Sequence, residues 1–81
     1  MRLKIKLFAV LKDRIGESNI TLDLPQDLNA GELKTIIKNQ YPAVGDVINL
    51  ARVAVNEEFV ADREPINEED FVALIPPSSG G

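Results

Sequence analysis

The sequence contains no cysteine and no histidine. Without thiols there is no disulfide, no thiolate zinc site and no cysteine nucleophile. Without imidazole the usual general base and the commonest nitrogen ligand are missing, which excludes histidine-dependent triads and histidine-based zinc sites. A basic excess is missing too: 9 Lys and Arg stand against 13 Asp and Glu, a net charge of -4. Binding to a phosphate backbone needs a positive surface, so nucleic acid is an unsuitable partner. No apolar run approaches the ~20 residues of a membrane span, and Met1-Arg2-Leu3-Lys4 alternates at once instead of opening a signal peptide. The expectation is a cytoplasmic protein that touches no membrane.

What is present suits one small domain. At 81 residues, 44% hydrophobic and 27% charged, the chain has ordinary globular composition and room for a single core. Residues 2–10 alternate, placing Leu3, Ile5 and Leu7 on one face and Lys4, Lys6 and Phe8 on the other, as a strand with one buried side requires. Leu11 and Ile15 stand four apart before Gly16, the pattern of a short helical turn with a glycine stop. Asn19 to Leu24 alternates again until Pro25. Asn29 offers an N-cap, Glu32 a capping-box partner, and Leu28 with Leu33 a hydrophobic staple. From there Leu33, Ile36, Ile37 and Tyr41 form an apolar stripe, Lys34, Lys38 and Gln40 are expected to face water, and Pro42 stops the helix.

Ala43 to Leu50 reads as one further helical turn through Val47, Ile48 and Leu50. A strand over Arg52 to Asn56 with Val53 and Val55 on one face, a turn at Asn56-Glu57-Glu58 and a strand over Phe59-Val60-Ala61 follow. Asp62 to Asp70 reads as a polar loop broken by Pro65, and its acidic run as solvated surface without metal-ligand spacing. Phe71 to Ile75 is apolar throughout, as a central strand would be. The expected fold is an α+β roll: a mixed sheet of about five strands with one main helix packed on one face.

The last residues, Pro76-Pro77-Ser78-Ser79-Gly80-Gly81, set a separate question. The prolines lack backbone donors and fix φ, so they end a sheet ladder and launch the chain outward. Residues 1–75 are then the domain and residues 76–81 an extended tail, reaching roughly 20 Å. Two consecutive glycines carry no Cβ and can enter a slot too narrow for any side chain. The reactive group at the tip is the Gly81 α-carboxylate, which an ATP-using partner can adenylate and a nucleophile can then displace. Read plainly, the same residues are an inert terminus or a remnant of cloning.

Three stretches give the chain a family resemblance: "LFAVLKDRIGE" (Leu7 to Glu17), "AVNEEFV" (Ala54 to Val60) and "EEDFVALIPPSSGG" (Glu68 to Gly81). They resemble the ubiquitin-like, β-grasp sulfur carriers, and among these the small subunits of molybdopterin synthases. The resemblance implies that Gly81 is adenylated by an enzyme related to ubiquitin activators and converted to a thiocarboxylate with sulfur from a donor protein. The tail, Pro76 to Gly80, then enters the large synthase subunit, and sulfur passes to cyclic pyranopterin monophosphate to build the molybdopterin dithiolene. It implies a heterotetrameric synthase whose catalytic side chains belong to the large subunit. This chain is then no enzyme by itself, binds neither cofactor nor metal, and leaves ATP to its activating partner. One departure is the Asn67-Glu68-Glu69-Asp70 turn, where the family commonly has a glycine.

Strand parity identifies partner-binding candidates. With Val72 and Leu74 toward the helix, Phe71, Ala73 and Ile75 share the outer face with Lys4, Lys6 and Phe8. Phe8, Phe71 and Ile75 are then the apolar groups of a docking surface, while Phe8 equally suits a small satellite core under the 62–70 loop. Lys4, Lys6 and Lys12 read as a solvated face. Three other uses of the tail stay open: a sulfur carrier for thiamine thiazole or cysteine, a ubiquitin-like modifier conjugated to lysines, or a binding domain with an inert tail.

Overall fold

The computed structural model describes residues 1–77. Alternation places Leu3, Ile5 and Leu7 inward along β1 (Arg2–Leu7), and Ile20 and Leu22 inward along its antiparallel neighbour β2 (Asn19–Asp23). β1 ends at Leu7, short of the expected Val10. Phe8 is already the N-cap of α1 (Ala9–Ile15), and Ala9 turns the chain with φ 52. The apolar period changes there from two to four, through Leu7, Leu11 and Ile15. Gly16 closes α1 in the left-handed region, φ 85, with its N–H donating to the Lys12 carbonyl.

The main helix begins where capping chemistry places it. Asn29 accepts from the Glu32 N–H at 2.8 Å, and the Asn29 N–H donates to Glu32 Oε1 at 2.9 Å. The N–H groups of Ala30 and Gly31 donate to the carbonyls of Glu64 and Asp62, so three first-turn donors that no helix can satisfy internally find partners. This helix, α2 (Ala30–Gln40), buries Leu33 and Ile37 against the sheet, with Ile36 and Tyr41 half-buried at the margin.

Lys34 departs from expectation. It does not face water: it is buried, 9% exposed, with Nζ 3.1 Å from Asp62 Oδ1 and 3.3 Å from the Ala51 carbonyl. Its position between Ala30 and Ile37 turns it toward the domain, and a carboxylate from a distant loop accommodates the charge. Lys38 and Gln40 do face water.

Beyond Pro42 the chain makes two 3-10 turns, Pro42–Val44 and Ile48–Leu50, instead of one α-turn, and buries Val44 and Ile48. β4 (Arg52–Val55) and the strand Glu58–Val60 form a hairpin over Asn56-Glu57. Both loop residues have positive φ, 53 and 71, the conformation whose twist matches paired strands. The polar loop after it holds a strand absent from the sequence reading: Pro65–Ile66 pairs antiparallel with Leu28–Asn29 and buries Ile66. In chain order these are β3 (Leu28–Asn29), β5 (Glu58–Val60) and β6 (Pro65–Ile66), and the chain returns as β7 (Val72–Ile75).

β7 lies at the centre of a five-stranded sheet of order β2-β1-β7-β4-β5. It runs parallel to β1 and antiparallel to β4, so the sheet is mixed, as expected. One face carries the core: Leu3, Ile5, Leu7, Val53, Val72 and Leu74 lie under Leu33 and Ile37 of α2. Among the described residues no helix covers the other face, and the central strand β7 ends at Ile75, just before Pro76. Among the described residues no helix is long and apolar enough to cross a membrane.

Candidate functional site

The uncovered face of the sheet is built by register. Lys6 pairs with Ala73, Ala73 with Ala54, and Ala54 with Phe59, so two small residues form a floor between a lysine and an aromatic ring. Arg52 pairs with Ile75, and its guanidinium stacks 3.9 Å from the Phe59 ring centroid. The Lys6 ammonium lies 5.2 Å from the centroid of Phe8. Leu7 pairs with Leu74, so the next residues along these parallel chains, Phe8 and Ile75, follow side by side.

The apolar groups on this face stay open to solvent. Phe71 is 56% exposed, Phe59 49% and Phe8 37%, while Ile75 is half-buried. Exposed aromatics around a floor of small side chains make a shallow apolar surface of the kind that partners cover. Phe8 stands apart from the hydrophobic core, unlike a residue closing a satellite cluster. Lys4 and Lys6 are exposed on the same face, and with Phe71 they line a shallow depression of about 480 Å³ opposite Glu68, Glu69 and Asp70. Among the described residues no His, Cys, Asp and Glu converge in a metal-binding group.

Phe71 is held in place by the hairpin tip. The Asn56 N–H donates to the Phe71 carbonyl at 2.7 Å, and the Phe71 N–H donates to Asn56 Oδ1 at 2.9 Å. Asn56 Nδ2 donates to Asp70 Oδ1 at 3.1 Å, and the Asp70 carboxylate also accepts from the Asn67 N–H at 2.8 Å. The Asn67–Asp70 turn is thus closed by the Asp70 side chain as well as by the Asp70 N–H, which donates to the Asn67 carbonyl at 3.0 Å. Sequence reasoning missed Phe59 as a member of the face. The signal was available: with Val53 and Val55 inward and a two-residue hairpin loop, Ala54 must point outward and Phe59 must lie opposite it.

At the exit of β7, Pro76 is buried and Pro77 exposed. Together with Val10, Val47 and Leu50 they line an apolar groove of about 230 Å³. Ser78, Ser79, Gly80 and Gly81, four of the expected tail residues, lie outside the described residues.

With the fold and face in view, comparisons with known proteins converge. A model described as the ThiS family matches residues 5–81. The molybdopterin synthase sulfur carrier subunit of Dictyostelium discoideum is 37% identical over 83 residues, covering 99% of this chain and 96% of that protein. The crystal structure of SAMP1 from Haloferax volcanii superposes with a TM-score of 0.83 at 28% identity, covering 100% of both chains. The β-grasp fold recurs, with a TM-score of 0.70 at 21% identity and full coverage of both chains, in a complex of subunits 1 and 2 of molybdopterin-converting factor from Helicobacter pylori.

Proposed function

The chain belongs to the ThiS family, and we propose that it acts as the sulfur carrier subunit of a molybdopterin synthase. The observation that carries this reading is the end-to-end likeness to carrier subunits of that synthase, tail included. The chemistry follows from the Gly81 carboxylate, a poor acyl donor as it stands. An adenylating partner lets a carboxylate oxygen attack the α-phosphate of ATP, with pyrophosphate leaving. A sulfide equivalent from a donor protein then displaces AMP and leaves a thiocarboxylate.

The thiocarboxylate sulfur is the nucleophile that the large subunit presents to cyclic pyranopterin monophosphate. Water then attacks the acyl carbon and cleaves its bond to the transferred sulfur, so one carrier supplies one sulfur, a dithiolene consumes two, and each carrier returns as the carboxylate. This chain supplies a docking surface, a leash and the acyl group; proton transfers fall to the large subunit. Phe8, Phe71 and Ile75 meet the partner, joined by Phe59 and Arg52. Pro76 and Pro77 set the direction of the tail, and Ser78, Ser79 and Gly80 keep it slender enough to thread a narrow channel. The chain binds no cofactor in this cycle, since ATP is consumed on the activating partner.

The test is single-turnover reconstitution. Chain bearing the Gly81 thiocarboxylate, mixed with the large subunit and cyclic pyranopterin monophosphate, should yield the dithiolene product and carboxylate chain. Equal yield from chain that was never thiocarboxylated would overturn the reading. The likeness to SAMP1 of Haloferax volcanii, a small archaeal modifier protein, favours a second reading, a ubiquitin-like modifier. It predicts Gly81 joined to lysine amines of other proteins in cells, visible by mass spectrometry of tagged chain and lost when Gly81 is deleted.

A further inference from the structure

Leu50 is the most exposed large hydrophobic residue described, at 65%, yet it sits in a short 3-10 turn whose other apolar residue, Ile48, is fully buried. It does not stand alone. Val10 of α1, Val47, and the prolines that begin the tail complete an apolar groove of about 230 Å³ around it. Two of its three walls are fixed to each other: Arg14 of α1 donates to the Ala43 carbonyl at 3.1 Å and pairs with the Asp46 carboxylate. The groove is therefore formed before anything fills it.

We propose that this groove is a second docking element, a collar at the root of the tail that seats the apolar rim of the channel through which the large subunit receives Gly81. The inference rests on the proposed function and adds residues outside the sheet face: Val10, Val47 and Leu50. Its basis is the length of the leash. Residues 78–81 are all that separate Pro77 from the reacting carbonyl, and four extended residues span at most roughly 14 Å. Any depth of channel that shelters Gly81 from water is subtracted from that reach. The mouth of the channel must then close on what surrounds Pro77, and what surrounds it is this groove. Burying Leu50 there would remove from water an apolar side chain that folding alone leaves in it.

The experiment measures the affinity of the purified large subunit for the full chain and for Leu50→Ala, Leu50→Glu and Leu50→Met, with thermal melts confirming folding. Leu50→Ala is expected to weaken binding about tenfold and Leu50→Glu further, while Leu50→Met stays near wild type. The same series is repeated in chain lacking residues 78–81, where the proposal expects sensitivity to Leu50 to persist. Equal binding by all three variants overturns the collar while leaving the carrier reading intact. Sensitivity that disappears with the tail overturns it in favour of the tail as occupant, and an effect only on self-association does so in favour of a second copy. If wild-type chain does not bind the large subunit at all, the carrier reading fails and the collar falls with it.

Discussion

Lys34 shows how one residue can carry a distant loop. Its ammonium, on a side chain 11% exposed, reaches a carboxylate that is 70% exposed, so the pair is half in water and its Coulomb energy is screened. Replacing Asp62 with Ala is expected to cost about 1 kcal/mol, because Lys34 keeps the Ala51 carbonyl but loses its counterion. Lys34→Met should be close to neutral, since an apolar side chain of similar length removes the desolvation penalty along with the charge. Urea unfolding of both variants checks the asymmetry; a larger loss from Lys34→Met than from Asp62→Ala would contradict it. Gly31 is part of the same contact, since a Cβ there would lie 3.0 Å from the Asp62 Cβ.

Asn56 combines two demands, a left-handed backbone and a side chain that reads Phe71 and Asp70. Asn56→Gly keeps the backbone and loses the side chain, at about 1 kcal/mol; Asn56→Ala loses both and should be worse by about another 1 kcal/mol. Chemical denaturation should therefore rank wild type, Gly, Ala in falling stability, and Ala equal to wild type would contradict both roles of Asn56. Residue chemistry of this kind is only half legible in sequence. Asn56 announces a turn, but nothing marks Glu57 for φ 71. Lys34 reads as solvent-facing because its partner lies far along the chain, in a loop whose fold the helix pattern does not contain.

At the scale of elements, local signals that carry their own energetics were readable. The capping box at Asn29 and Glu32, the staple of Leu28 and Leu33, the alternation of β1 and β2 and the apolar run of β7 each identify their element, because each depends on neighbours in sequence. The β3–β6 pair was not readable: two residues are too few to show a period, and Pro65 reads as a breaker although a short pair with a free edge tolerates it. Gly16 tests the stop of α1. Nothing lies within 4 Å of a Cβ built there, so Gly16→Ala suffers no clash and only the cost of φ 85, about 1 to 2 kcal/mol. A melting temperature lowered by roughly 4 to 8 °C for each kcal/mol is the expected result, and an unchanged one would show that α1 ends without need of the left-handed turn.

For the whole molecule, the core and the exposed aromatic face are separated in space. The hydrophobic cluster runs from Leu3 to Leu74, on the α2 side of the sheet, while the exposed aromatics and the exit of the chain lie away from it. Strand parity alone places Phe8, Phe71 and Ile75 on the outer face, and the hairpin register adds Phe59. The groove of Val10, Val47 and Leu50 escaped sequence reasoning because its walls come from three separate segments. Deleting Gly81 is accordingly expected to leave the melting temperature unchanged and to abolish sulfur transfer. Unfolding of that variant would contradict a core completed before the tail.

If Gly81 carries the sulfur, the intact mass of the chain must register it. The chain is incubated with ATP, its adenylating enzyme and a sulfur source, beside a Gly81 deletion variant under the same conditions. A mass gain equal to replacing one oxygen by sulfur, present in the full chain and absent in the variant, is the predicted result. An unchanged mass with an activating enzyme shown to form the acyl adenylate, or an equal gain in the variant, would contradict it.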